Sequence, residues 1–417
     1  MKRLTLITFA VLLMLCAGGC KADFAKVNPY ERNLHTLEIG LTFPEAFIGT
    51  PSGGIEIQVE NVDNGASYTA TTDDSGTATI EVVNGLYRIS TSSLIAGERF
   101  NGSEDGIKVA GEKRSVRLKL IHIKKGNIVI KEIYCGGCKK LPFEGEYQSD
   151  KYIILHNNSG SVKYLDSLCL GSLSPYNSNS TNPWVTKDPE TGASVYRDFV
   201  PVIQAVLQIG GDGTTFPLGP GEDAVIAVCG AIDHSATYPL SVNLNNEDYF
   251  VCYNPLYFPN TSYHPTPGDR IREDHILNIV IKTGQANAYT LSISSPAVVI
   301  FRAKGMSVED FLKTENAVIQ VPGSSMDQVV CVPLDWVEDA VEVFDKREST
   351  NRKRIPPVLD AGFVYQSDVY LGHTLRRKVD QEESTKEGFE VLVDTNNSSE
   401  DMYEAEVQSL KEKEQND

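Results

Sequence analysis

The chain has 417 residues, 41% of them apolar, which is enough for two or three domains with ordinary cores. Its 38 basic and 56 acidic residues leave a formal charge of -18, a balance that repels nucleic-acid phosphates and anionic headgroups. DNA and RNA are therefore excluded as expected partners, and the chain reads as a globular protein.

The opening MKRLTLITFAVLLMLCAGGC has a basic start at Lys2 and Arg3, an apolar run, and small residues before a cysteine. That is the pattern of an export signal over residues 1–19. Its ending, Ala17-Gly18-Gly19-Cys20, resembles the bacterial lipobox, with Ala where Leu is usual three places before the cysteine. The resemblance implies cleavage before Cys20 and diacylglycerol on its thiol; an ordinary signal peptide cut after Ala17 is the competing reading. Lys21-Ala22-Asp23, at the head of a linker over residues 20–34, resembles the signal that sends Bacteroidota lipoproteins to the outer face of the outer membrane. No later stretch reaches the ~18 apolar residues that a membrane-spanning helix needs.

From Leu37 the chain alternates with period two: LEIGL, GIEIQVEN, YTATT, TATIEVV, LYRIST and SVRLKLIHI. These predict half-buried antiparallel strands. Asp63-Asn64-Gly65, Asp73-Asp74-Ser75-Gly76 and Asn84-Gly85 supply the tight turns between them. A small β-sandwich over residues 35–125 follows, and Asp73 and Asp74 read as turn residues before they read as calcium ligands. The run VENVDNGASYTATTDDSGTATIEVVNGLYRIS resembles carboxypeptidase-regulatory-like and collagen-adhesin B-type modules, which implies a spacer or scaffold.

After Lys124-Lys125-Gly126 the strand pattern restarts with NIVIKEIY, KYIILHNNSG, VKYLDSLCLG and FPLGPGEDAVIAVCG. The succession resembles the lamin-tail domain, which implies a second immunoglobulin-like sandwich, over residues 126–300 with a long aromatic loop. LNIVIKTG, AYTLSIS and PAVVIFRAKG add strands, and SVEDFLKTENAV has a helix start at Ser307 and Asp310. Residues 301–402 read as an irregular, partly helical extension completing the second domain, and residues 403–417 as a charged, solvated tail. The combination RIPPVLDAGFVY, YLGHTLRRKV and VLVDTNNSSEDM, with the lipobox and the first module, resembles a family of uncharacterised Bacteroidota lipoproteins that joins a regulatory-like module to a lamin-tail-like one. The expected fold class is all-β, with two immunoglobulin-like β-sandwiches.

Little in the chain suggests chemistry. Removing Cys16 with the signal and lipidating Cys20 leaves Cys135, Cys138, Cys169, Cys229, Cys252 and Cys331. Cys135-Gly136-Gly137-Cys138 lacks the second close ligand pair of a zinc site, the helix start of a redox site and the histidine of a heme-attachment site. A structural role is expected, as a local disulfide between Cys135 and Cys138 or as two free thiols in a strand-end turn. The histidines show no ligand spacing, and no nucleophile or phosphate-loop motif occurs. Neither catalytic residues, a metal nor a cofactor is expected. Residues 247–269 hold Tyr249, Tyr253, Tyr257, Phe258 and Tyr263 in a proline-punctuated loop, a candidate contact surface for a ligand or partner; the bland alternative is that these rings roof the core.

The sequence thus reads as a non-enzymatic, lipid-anchored outer-membrane protein at the cell surface, a binding or accessory component of a surface assembly. Partnership with a TonB-dependent receptor is what the lipoprotein resemblance implies. An adhesin or envelope scaffold is the alternative, and a thiol-dependent redox or metal-handling protein using Cys135 and Cys138 the second alternative. Because diacylglycerol is the only anchor in this reading, Cys20→Ala should move the protein from the membrane to the soluble periplasmic fraction and abolish palmitate labelling. Labelling that survives the substitution refutes it.

Overall fold

The computed structural model describes residues 34–111, 113–123, 125–189, 194–346 and 350–416. The export signal, Cys20 and Lys21-Ala22-Asp23 lie outside the described residues. The fold is all-β: two sandwiches in series, with only short helices.

In the first sandwich Leu34–Thr42 is the middle strand of three, antiparallel to Thr77–Val83 and parallel to Lys113–Lys119. The facing sheet runs in the order Ser67–Thr71, Glu56–Asn61, Gly85–Ile95, Glu98–Val109, Ile121–Ile123. Alternation sends Leu37, Ile39, Ile57, Val59, Tyr87 and Ile89 into a core that excludes solvent from all six. The turn after Thr72 is held by Asp73, whose Oδ1 accepts from the amides of Ser75 and Thr77 at 2.9 and 3.0 Å. Gly76 closes that turn at φ +75°. The turn thus occupies Asp73 with backbone donors, as its sequence suggested.

Two features depart from expectation. The segment SVRLKLIHI is not one strand, because the chain crosses at buried Leu120 from the three-stranded sheet to the edge of the five-stranded one. Glu98–Val109 carries no period-two signal, yet it pairs along Gly85–Ile95. Asn101 and Glu104 face the second sandwich rather than water, which breaks the alternation there. Asn101 there is fully buried and donates to the carbonyls of Thr395 and Asn396.

The second sandwich has a six-stranded sheet in the order Phe250–Val251, Asp223–Ala227, Tyr152–Asn157, Ile128–Tyr134, Thr374–Arg377, Met402–Ala405. The larger sheet runs Val318–Gln320, Gln328–Pro333, Phe199–Gln208, Cys169–Leu173, Ala297–Phe301, Val337–Asp345, Val364–Gln366, with Asn278–Lys282 branching from Phe199–Gln208. Ile130, Ile133, Ile153 and Leu155 meet Leu170, Leu207, Ile300 and Val341 between the sheets. Both sheets are covered on their outer faces as well, so Tyr152–Asn157 is buried along its whole length.

The extension over residues 301–402 is partly helical, as expected, and completes the second domain. It supplies strands to both sheets, and Thr374–Arg377 lies beside the domain's first strand, with Arg376 opposite Glu132. The tail is docked as well: Leu410 is buried among Tyr134, Tyr152 and Val225, and the Ser409 amide donates to Glu132 Oε1 at 3.1 Å. A charged composition did not reveal a tail in which Gln408 and Leu410 each find a buried place.

The three distinctive C-terminal stretches converge on one buried knot. Arg377 Nη2 lies 2.7 Å from Asp339, and Nη1 lies 3.3 Å from Asp394 and 3.2 Å from Asp401. Its Nε donates to Ile130 O at 2.9 Å. Asp360 accepts from the Gly362 and Ser398 amides at 3.0 and 2.8 Å and from the Glu342 amide at 2.9 Å. One guanidinium cannot neutralise three carboxylates; burial raises Asp339 to about 7 and Asp401 to about 6 against the pull of Arg377. Removing the guanidinium would leave buried carboxylates unpaired, so Arg377→Ala should cost about 3–5 kcal/mol in denaturant unfolding. A loss below about 1 kcal/mol would show that the knot does not hold the sheets together.

Candidate functional site

The strand Ile128–Tyr134 runs straight into the Cys135–Cys138 turn. Gly137 there adopts φ +72°, and a Cβ at that position would sit 2.2 Å from Tyr147 O, so only glycine fits. Cys138 and Lys139 then pair with Tyr147 and Glu146 to form a hairpin. A second loop braces it: the amides of Tyr370 and Gly372 donate to Gly136 O and Gly137 O at 2.8 and 2.9 Å.

Of the two structural readings of Cys135 and Cys138, the local disulfide is not formed; both are free, buried thiols in the turn. Each sulfur has its own partner. Cys135 Sγ donates to Gln366 Oε1 at 3.0 Å, while Cys138 Sγ lies 3.8 Å from Asp150 Oδ2. Burial raises both thiols to about 12, and Asp150 adds to the effect at Cys138. A thiolate is the nucleophile in redox exchange and the ligand in metal binding, so this environment works against both chemistries.

Behind the turn lies a sealed polar cluster. Asp150 accepts from Ser241 Oγ and from Tyr134 OH, the latter at 3.2 Å, and burial raises its carboxyl. Tyr147 OH and His234 Nδ1 are 2.6 Å apart, with the other ring nitrogen on Gly230 O. Lys151 is 1% exposed; its ammonium donates to Leu291 O at 2.7 Å and Thr290 Oγ1 at 3.1 Å, and burial lowers its pKa. These bonds tie residues 234–241 and 289–291 to the hairpin base. They hold shape rather than offer a reactive group to solvent.

At the tip the hairpin turns outward. Leu141 is 53% and Phe143 60% exposed, on a turn closed by Phe143 N to Lys140 O at 2.7 Å. Lys139 lies over the Tyr370 ring at 5.6 Å and Lys140 over Tyr238 at 5.7 Å. The apolar pair in KKLPFEGE was the available sequence signal, between proline and glycine punctuation where a core strand is impossible.

The aromatic loop is placed differently from a single contact face. Phe258, expected at the contact surface, is instead a core residue, 1% exposed and stacked 5.8 Å from His264. Tyr263 packs half-buried on the same central core, whereas Tyr249 and Tyr253 pack on the outer face of the six-stranded sheet. Tyr257 faces outward beside Leu256. A long loop over two cores buries rings to cover apolar surface, and that need separated the five residues.

Among the described residues one cluster has metal-ligand geometry: His156, Asp223 and Glu390. The Lys131 ammonium already occupies it, 2.7 Å from Asp223 and 2.5 Å from Glu390, and His156 spans Asp223 and Glu390 O at 2.8 and 2.9 Å. Burial opposes ionisation of Asp223, but the bonds from His156 and Lys131 outweigh it and lower the carboxyl. A divalent ion would have to displace that ammonium, so the donors do not fit one.

Residues 219–409 match the model of a family described as "Protein of unknown function (DUF4876)". Among solved structures, the chain resembles a DUF4876 family protein from Bacteroides thetaiotaomicron at 24% identity and TM-score 0.55, over 88% of this chain and 94% of that one. The likeness extends to the fold. Two DUF3823 family proteins, from Parabacteroides merdae and Bacteroides ovatus, align at 12% and 11% identity over 43% and 44% of this chain, and 82% and 94% of theirs. Their TM-scores of 0.17 carry no argument. Comparison with curated proteins found no match.

With both cysteines buried and unbridged, none of the six thiols should react with Ellman's reagent in the native mature protein, and all six should react after unfolding without reductant. Four reactive thiols in the unfolded chain would restore the bridge.

Proposed function

We propose that this protein is a non-enzymatic binding or accessory component of a bacterial surface assembly, anchored in the outer membrane by diacylglycerol on Cys20. The first sandwich acts as a spacer and the second as the recognition head, working beside an outer-membrane protein such as a TonB-dependent receptor. One observation carries the reading: Leu141 and Phe143 stand exposed on a hairpin whose base is braced by backbone bonds and a sealed polar cluster. Water-exposed apolar side chains on a pre-organised base suit a protein contact, because little entropy is lost on docking.

The joint between the sandwiches supports the spacer role. Arg88 lies over the rings of Phe363 and Phe344 at 4.3 and 5.2 Å while paired with Asp105 and Glu60. Tyr365 OH reaches Glu60 at 3.2 Å, and Lys187 donates to Asp105 O at 2.8 Å. Such a seam fixes the head on its support.

The test is co-purification of the lipidated protein from native outer membrane after crosslinking. An outer-membrane protein should be recovered with the wild type, and its yield should fall about tenfold for Leu141→Ser with Phe143→Ser, at unchanged melting temperature. Equal recovery with the double variant refutes the contact; failure to recover any outer-membrane protein favours the scaffold reading.

A further inference from the structure

A groove of about 590 Å³ lies on the second sandwich beside the domain connection, lined by the connecting residues Lys125 and Gly126, by Lys163, by Arg302 and Lys304, and by Glu338. Four cations therefore line the groove beside two carboxylates, Glu338 and Asp339, in a chain whose overall charge is -18. Asp339 is turned to Arg377 in the buried knot. Asp335 approaches Lys304 to 3.9 Å, so against Glu338 and Asp335 the four cations leave an excess of two on the groove wall, before the knot beneath, where three carboxylates share Arg377, is counted.

The cations differ in how they are held. Arg302 is fixed, with Nη1 on Glu338 at 2.7 Å and Nη2 donating to Tyr164 O at 2.9 Å. Lys304 reaches the Asp335 carbonyl. Lys125 and Lys163 have no side-chain hydrogen bond or ion pair among the described residues, and neither do the lining carboxamides of Asn127 and Asn396. Burial raises Glu338, and Arg302, Lys304 and Lys163 each pull it back in that order, so three of the four cations act on one spot. Two unspent ammonium groups and two unspent amides thus face a site that already has a braced guanidinium on its wall.

We propose that this groove binds a compact, doubly charged oxyanion, the phosphate group of a phosphomonoester. A single carboxylate would leave the cationic excess unbalanced, whereas a tetrahedral dianion can neutralise it and accept from lysine and amide donors on different sides. Concave walls concentrate the field that a flat surface would lose to salt. The volume accommodates a group of sugar-phosphate size. Either a soluble sugar ester or a phosphomonoester lipid headgroup presents this chemistry. The site is separate from the Leu141 and Phe143 hairpin and does not depend on it.

The experiment is titration calorimetry of the full chain, carrying Cys20→Ala so that no anchor contributes, with inorganic phosphate and inorganic sulfate at low ionic strength. One saturable site is expected, weakening with added salt. Lys163→Ala combined with Lys304→Ala should raise Kd at least tenfold, while Lys313→Ala, exposed elsewhere on the chain, should leave it unchanged. Competition then separates the sources. Displacement by glucose 1-phosphate identifies a soluble ester, and displacement by phosphatidic acid vesicles but not phosphatidylcholine vesicles identifies a headgroup. The proposal is overturned if neither inorganic anion binds saturably, if the double variant binds like the wild type, or if neither competitor displaces the anion.

Discussion

Arg377 is the constraint on which the second sandwich depends. Its guanidinium reaches Asp339 on one sheet, the Ile130 carbonyl on the other, and Asp394 and Asp401 in the closing turn. The carboxylates it gathers are spent on backbone amides: Asp339 accepts from Ile130 N, Asp394 from Gly126 N, and Asp401 from Thr395 N. A buried charge is tolerable only when every lone pair has such a partner. The knot therefore fixes register as well as proximity, because moving any of these segments would strand an ionised group in the core. Arg354 and Glu342, both fully buried at 2.7 Å, do the same where the chain enters the larger sheet.

Fixing the sheets fixes the surfaces built on them. The strand that pairs with Thr374–Arg377 continues into the Cys135–Cys138 turn, so the hairpin tip is positioned from the core outward. The polar groups behind the turn are stiffening elements for the same reason: Asp150 Oδ2, Tyr134, Ser241, Tyr147 and His234 are paired inside a low-dielectric interior, while Asp150 Oδ1 has no partner among the described residues. Lys151 is the extreme case, an ammonium held by a carbonyl and a hydroxyl. The second sandwich thus presents an apolar surface at the hairpin and a cationic one at the groove, among its other exposed groups.

The joint between the sandwiches has its own logic. A polar strand, Glu98–Val109, would be a poor partner for a hydrophobic core but is a good one for a neighbouring domain's carbonyls and turn amides. Arg88 combines two carboxylates of its own sandwich with two rings of the next. Domain contacts of this sort are more polar than cores yet still specific. The groove over Gly126 lies at the short connection between the sandwiches, which is tied to the knot beneath it by the Gly126 amide on Asp394.

How much of this was legible in the chain depends on the range of the interactions. Period-two alternation and turn residues act within a few positions, so the sequence by itself determined the all-β class, the hairpins of the first sandwich and strands such as Tyr152–Asn157. It also carried a full positive and negative inventory, but not which charges meet. Thr374–Arg377 has nothing local that marks it as the neighbour of Ile128–Tyr134, and only tertiary pairing across the intervening chain makes it one. The same holds for the candidate surfaces. The aromatic residues of the 247–269 loop could be named in advance, but two separate cores decided which were buried, and Leu141 and Phe143 gained significance only once their hairpin was seen to be braced. Lys125, Lys163, Arg302 and Lys304 are ordinary surface residues in the sequence and meet only because two distant segments and the domain connection face one groove. Short-range sterics and hydrophobic period write strands into a sequence; the pairing of distant charges, whose energy depends on burial, is decided only when the sheets close.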